Sequence, residues 1–369
     1  MINALLRRPR LALAGGATAA AVLLVSLDAL LTGNRERPAA VATRDYHPNV
    51  MDELLEYPAS KPAMMLQAAL GHVAAYLHAG YQPRQLMGAE WEVSSLSMDY
   101  LATNDPQEVM LPRVGLNDIA IRDPLSGNRL QFYALAAHRD ATTGFDAIAL
   151  FEPLSHTLLL FFPGLEPKRS DYGAVAHTFR RGLPPQNSMV TDFMHDVYRQ
   201  VQGNIDIKHT HISAHSLGAG AGIRAAALIE SNASYRREMG ASYHLTLIEG
   251  WAESLSAELV LAQGMSGMEG ERLRERTDSA RLYPATFVGT GGEANRPFGS
   301  RVTALMPTGL RQAHAWVFWR ENNHRLEHIF EGLERGDMLL CEGNELPFQA
   351  TLWASAVKRV LAAAANVRA

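Results

Sequence analysis

Residues 210 to 222 constrain this chain more than any other stretch. His209 to Ala214 reads as a short strand, and Ser216 to Glu230 reads as a helix that begins with small residues. Between them, Ala214-His215-Ser216-Leu217-Gly218 has to turn a corner with no room for bulk two residues to either side of the serine. Ala214 and Gly218 meet that demand. A strand that ends in small-x-Ser-x-Gly and runs straight into a helix has the pattern of a nucleophile elbow. Such a corner lifts the serine Oγ above the sheet edge. It also sets it beside a helix N-terminus, where the positive end of the helix dipole favours a developing oxyanion.

The flanking chain agrees with this reading. Gln131 to Ala137, Phe145 to Phe151 and the fully apolar Thr157 to Phe162 read as strands. A helix is expected from Ser188 to Gly203, then the elbow unit, a strand at His244 to Ile248 and a helix at Glu253 to Gln263. Further strands are expected at Ala285 to Val288, Val302 to Met306 and Ala315 to Trp319, with closing helices at Asn322 to Glu334 and Gln349 to Ala364. Continuous apolar strands alternating with helices indicate a mostly parallel sheet covered on both faces, an α/β hydrolase-like order. Upstream, residues 60 to 79 carry Met64, Leu66, Leu70, Val73 and Leu77 at the spacing of one buried helix face. Residues 84 to 130 read as irregular. The expected division is an N-terminal segment at 1–33, a linker and helical or irregular extension at 34–130, and a catalytic domain at 131–369.

The first residues stand apart. Arg7, Arg8 and Arg10 precede an uncharged run from Leu11 to Leu27, which Asp28 interrupts and Ala29-Leu30-Leu31 extends. A basic start before an apolar segment is an export or anchor pattern, and the run is just long enough to span a bilayer. Ala40-Val41-Ala42 resembles a cleavage site but lies far beyond the run. The expectation is therefore a membrane anchor or an exported chain, with the catalytic domain on the periplasmic or extracellular side. A net charge of −4 supplies no global basic field for nucleic acid. One cysteine, Cys341, allows no intrachain disulfide.

A serine becomes a nucleophile at neutral pH only with a base beside it and a carboxylate to orient that base. In an α/β hydrolase-like chain they follow in the order serine, acid, histidine. His324, in Asn322-Asn323-His324-Arg325, sits where a strand gives way to a helix on the nucleophile's edge of the sheet, and His328 is the alternative. For the acid, Glu293 follows the Ala285 strand in a glycine-rich loop, and Glu249 follows the strand before it. The oxyanion hole needs two backbone N–H donors. The backbone of Leu217, just after the serine, is one. Leu165, after Phe161-Phe162-Pro163-Gly164, is the other. This chemistry calls for no metal and no cofactor.

Together these residues resemble the class 3 (fungal-type) lipases and related bacterial lipase-like hydrolases. Phe162-Pro163-Gly164-Leu165 is similar to the family's Phe-x-Gly run before the oxyanion residue, and His215-Ser216-Leu217-Gly218 to its elbow. The Asn-His-x-Leu-Glu run at His324 resembles the terminal catalytic-histidine segment of the bacterial relatives. The likeness covers roughly residues 130 to 335. It departs at Ala214, where glycine is usual, at Leu165, where a hydroxyl residue is common, and in lacking an Asp-Pro-Val acid motif. The resemblance implies hydrolysis of carboxylic esters, lipid acyl esters in particular.

Three other readings compete. Gly218-Ala219-Gly220-Ala221-Gly222 could open a dinucleotide-binding helix, but it is not G-x-G-x-x-G. His209, His211 and His215 share a strand face and could serve a metal-dependent hydrolase. A non-catalytic protein of the same fold could bind rather than cleave.

Overall fold

The computed structural model describes residues 49–93, 116–140, 145–164, 189–251, 253–282, 297–307 and 325–342. Their ten strands form one sheet in chain order: β1 (Glu90–Val93), β2 (Asn117–Arg122), β3 (Arg129–Asp140), β4 (Phe145–Glu152), β5 (Thr157–Phe162), β6 (His209–His215), β7 (Ser242–Ile248), β8 (Thr277–Leu282), β9 (Arg301–Pro307) and β10 (Met338–Glu342). β1 to β5 pair as an antiparallel meander, β5 to β9 run parallel, and β10 returns antiparallel to β9. The architecture is α/β hydrolase-like, with the elbow strand β6 inside the parallel portion.

Each parallel strand is laid down on the same side of its predecessor. Crossovers between parallel strands are right-handed, so crossovers that all step one way place their helices on one face. The core shows this. α3 (Met189–Val201), α4 (Ala219–Ser231), α6 (Glu253–Leu261) and α7 (Gly267–Glu275) share one apolar cluster with Leu158, Leu160, Ile212, Ala214, Leu245 and Leu247. The short α5 (Ala233–Glu238) follows α4 and adds Tyr235 to that cluster.

The opposite face is covered by chain from before and after the sheet. α1 (Val50–Glu56) and α2 (Lys61–His78) pack on Leu159 and Phe161. The far half of that face takes α2 together with α8 (Leu326–Arg335), over Ile248, Ala280 and Leu305. α2 starts on a Ser60 cap with Pro62 in its first turn, as helix starts favour. Nearly all of it is buried from Pro62 to Ala74, consistent with a helix pressed between a sheet and a second helix. At Gly71 a Cβ would come within 2.9 Å of the Leu326 side chain, so the missing side chain lets α2 and α8 approach.

Several expectations shift. The stretch from 84 to 130, expected to be irregular, supplies β1, β2 and the start of β3, and the sheet continues without a break through residue 131. The strand after β7 is Thr277–Leu282, whose mixed sequence hides it. Its polar side chains are paired: the Thr277 hydroxyl donates to the Leu273 carbonyl, Ser279 donates to Glu253, and Asp278 accepts from Arg301. α7 was also not anticipated, although its Ser266–Glu269 capping box is a sequence-level helix start. β10 carries Cys341 opposite Ala304 of β9. The segments expected at 285–288, 315–319 and 349–364 lie outside the described residues.

α8 is tied to α2 by charge as well as by apolar contact. His72 Nδ1 lies 3.3 Å from Glu327 Oε2, and Arg84 pairs with Glu331. Burial opposes ionisation of Glu327. The close His72 ring, the Glu327 backbone N–H and the neighbouring His328 outweigh that, bringing the group from its ordinary 4.5 down to about 2. A carboxyl group depressed on folding stabilises the fold above its unfolded pKa, and the effect fades as pH falls through the folded value. Wild type should therefore exceed Glu327→Gln in stability by up to about 3 kcal/mol at neutral pH. That margin should shrink by about half or more at pH 3. Urea denaturation of both proteins at the two pH values measures it, and an unchanged margin would refute the assignment.

Candidate active site

The predicted elbow forms at the carboxyl end of β6. His215 is still extended (φ −114°, ψ 136°), Ser216 flips to φ +52°, and Gly218 is already helical. A left-handed backbone at a non-glycine residue costs on the order of 1–3 kcal/mol and persists only where the surroundings hold it. Here they do. Ser216 to Gly218 form a single 3-10 turn that leads into α4, and the Ser216 carbonyl accepts from the Trp251 N–H at 2.9 Å. Ser216 is buried, with 7% of its surface accessible. Leu217 stands in the first turn, where a backbone N–H has no carbonyl one turn back to bond. That position suits an oxyanion donor.

Close backbone approaches explain the small residues. A Cβ on Gly218 would sit 2.3 Å from the Phe162 carbonyl oxygen and 2.5 Å from that of Pro163. A Cβ on Gly164 would meet the Ser216 Cβ at 2.6 Å and His215 Nδ1 at 2.8 Å. The turn after β5 is thus laid directly over the elbow, with Gly164 against Ser216. Ala214 stands where glycine is usual, and the structure accommodates it from the other side. Gly222 of α4 faces it, and a Cβ there would be only 2.5 Å from the Ala214 Cβ.

Beneath the elbow, on the α2 face, lies a buried polar layer that sequence reasoning missed. Gln67 of α2 donates through Nε2 to the Pro58 carbonyl at 2.7 Å, and its Oε1 accepts from Ser213 Oγ at 2.8 Å and faces His211 Nε2 at 3.0 Å. His211 stacks on His244, whose Nε2 is 3.3 Å from Asp278, which in turn accepts from Arg301 at 2.9 Å. Burial, with the neighbouring His244, holds the His211 pKa well below the usual histidine value, so the ring is neutral. A small cavity is lined by Gln67 and Ser213 of this layer together with Gly71, Phe161, His215 and Leu326. In the sequence the layer shows as Gln67 within a largely apolar helix and as the polar His211 and Ser213 of the elbow strand.

The layer bears on the metal reading of His209, His211 and His215. His211 is engaged with Gln67, and among the described residues no group of three or more His, Cys, Asp or Glu side chains is placed to hold a metal ion.

The other predicted parts divide as follows. Leu217 is at the elbow. Leu165, His324 and Glu293 lie outside the described residues, with Gly164 and Arg325 the described residues that border the first two. The alternative base, His328, is inside α8, with Nδ1 3.7 Å from Glu331. The alternative acid, Glu249, immediately follows β7 and is buried, with φ +50°.

No family model matches the sequence, and no curated protein matches it. Solved structures do match. A fungal lipase aligns over 77% of this chain and 87% of its own at 13% identity and a TM-score of 0.35. A lipase from Rhizopus microsporus var. chinensis aligns over 74% and 84% at 12% identity and a TM-score of 0.34. Lipase II from Rhizopus niveus aligns over 47% of this chain at 13% identity and a TM-score of 0.31, and the match spans 66% of the Rhizopus niveus chain. The fold assignment rests on the strand order and the elbow themselves.

The Ala214–Gly222 contact yields a direct test. Gly222→Ala should destabilise the protein by about 1–3 kcal/mol, the usual cost of overpacking a tight site. Ala214→Gly in the same background should recover part of that loss, because the clash is between the two Cβ atoms. Denaturation midpoints of the two single variants and the double variant measure the coupling. Additive effects would show that the two positions do not constrain one another.

Proposed function

We propose that this chain is a serine hydrolase that cleaves carboxylic esters, lipid acyl esters in particular, through an acyl-enzyme. The observation that carries the reading is the left-handed Ser216 at the carboxyl end of a central parallel strand, at the mouth of α4. In this reading Ser216 Oγ attacks the ester carbonyl and passes its proton to the base, His324. The Leu217 and Leu165 N–H groups hold the oxyanion. The imidazolium returns the proton to the leaving alcohol, and water then releases the acid by the same route reversed. A carboxylate on the far side of the imidazole, Glu293 or Glu249, keeps the correct tautomer and supports the cation. No metal or cofactor enters this sequence. The lipid class is supported by the likeness of the Phe162–Leu165 and His215–Gly218 runs to class 3 lipases and by the apolar N-terminal run.

A fluorophosphonate probe should label the wild type, in the presence or absence of a chelator, and should not label Ser216→Ala. Ester hydrolysis should fall on the order of a million-fold in that variant, the usual cost of losing a triad nucleophile. Undiminished hydrolysis by Ser216→Ala would reject the mechanism. A wild type that neither reacts with the probe nor cleaves esters would favour a binding protein on this fold.

We further propose that residues 1–33 bring the enzyme to a membrane, as an anchor or an export segment, with the catalytic domain on the periplasmic or extracellular side. None of the described helices is long and apolar enough to cross a membrane, and the segment itself lies outside the described residues. The support is its sequence: three arginines before an uncharged run. Full-length protein should sediment with membranes, and a form starting after residue 33 should not. Equal partitioning of the two would reject the anchor.

A further inference from the structure

Among the described residues, one carboxylate stands beside the nucleophile under the same backbone constraint. β6 and β7 are parallel and paired in register up to His215 opposite Ile248. The next residue on each strand is Ser216 and Glu249. Both leave the extended region at the same step, with φ +52° and +50°, and both are buried. Two adjacent strands thus end in matching left-handed corners, one presenting the serine and the other a glutamate. The corners are joined, because the Trp251 N–H, two residues after Glu249, donates to the Ser216 carbonyl.

The side chain of Glu249 is also fixed. Its backbone N–H donates to the Ala280 carbonyl at 2.7 Å, and its Oε1 accepts from the Leu282 N–H at the end of β8. A carboxylate held by a backbone donor at the carboxyl edge of the sheet has a set orientation, which is what an imidazole partner requires. The neighbouring buried carboxylate, Glu253, is committed elsewhere. It accepts from Ser279 Oγ and the Phe298 N–H and pairs with Arg281 at 3.1 Å.

From this geometry we infer that Glu249 is the residue that positions the histidine base. The inference rests on the acyl-enzyme reading of Ser216 and His324. Glu249 acts through the imidazole: it accepts the N–H on the ring nitrogen away from the serine and stays ionised throughout. The proton that leaves Ser216 Oγ resides on the imidazole and then on the departing alkoxide. The inference places the acid on the strand next to the nucleophile's, one strand earlier than a residue following β8 would be.

The test uses the full-length protein and the variants Glu249→Gln, Glu249→Asp, Glu293→Gln and Ser216→Ala, with probe labelling, kcat, KM and the pH profile of kcat/KM for a soluble ester. Glu249→Gln should lower kcat by roughly a hundred- to ten-thousand-fold with KM little changed. Its acidic limb should move to lower pH, because removing a negative charge beside the imidazole makes the protonated ring easier to deprotonate. A purely structural role would not move that limb. Glu249→Asp should recover part of the rate and restore the limb. A folded Glu249→Gln protein with near-wild-type kcat overturns the inference. So does a large fall with a shifted limb in Glu293→Gln, whether or not the Glu249 variants fold. If Ser216→Ala remains active, the acyl-enzyme reading itself has failed and this inference falls with it. A dead Ser216→Ala beside a normal Glu249→Gln confines the failure to the acid.

Discussion

The direction in which the parallel strands are wound governs this molecule. β5 to β9 are added one after another on the same side, and right-handed crossovers then commit α3, α4, α6 and α7 to a single face. A doubly wound sheet covers both faces with its own crossovers. This one cannot, and a bare apolar face of five parallel strands would not be stable in water. The chain solves the problem with helices from outside the winding: α1 and α2 arrive before the first strand and α8 after β9. The segment upstream of the hydrolase-like strands is therefore half of the fold's cover.

That cover reaches the site. The odd-numbered residues of β6 point to the α2 face, and two of them, His211 and Ser213, are polar and buried. Left unpaired, each would cost about 1–3 kcal/mol. Gln67 engages His211 Nε2 and Ser213 Oγ from α2, with its own amide nitrogen capped by Pro58. The last turn of the strand that carries Ser216 is thus held from below by a helix some 150 residues earlier in the chain. α2 holds α8 by the Gly71–Leu326 approach and the His72–Glu327 pair. α8 begins two residues after His324. A single helix therefore braces the strand before the proposed nucleophile and the helix after the proposed base.

Features whose physics is local were legible in the sequence. The elbow needs small residues at fixed offsets, and Ala214 and Gly218 announced it. α2 could be read from its spacing, and β5 from its continuous apolar run, all six residues of which are buried. Features whose physics is tertiary were not. β8 reads Thr-Asp-Ser-Ala-Arg-Leu and looks like a loop until Leu273, Glu253 and Arg301 supply its partners. β1 and β2 are short and uneven because they form the edge of a meander rather than its centre. The tolerance of alanine at 214 depends on a glycine eight residues later, on the facing side of α4, which no five-residue pattern contains. Of the candidate site, Ser216 and Leu217 lie where the pattern put them. Glu249 was visible as a residue after a strand, but its left-handed backbone and its alignment with Ser216 exist only once β6 and β7 are paired.

The paired corners also account for where this fold stores strain. Each left-handed residue costs on the order of 1–3 kcal/mol, and side by side they are a substantial fraction of the 5–15 kcal/mol stability of an ordinary domain. Two features keep them from relaxing. The Trp251–Ser216 hydrogen bond makes the corners a single unit, so neither can flip without breaking the other's contact. Gly164 and Gly218 let the β5 turn close over the top, where any side chain would force the backbones apart. A corner that cannot relax holds the serine at one height and angle above the sheet. In the proposed hydrolase, reorganisation that would otherwise be needed during the reaction is met in advance, during folding.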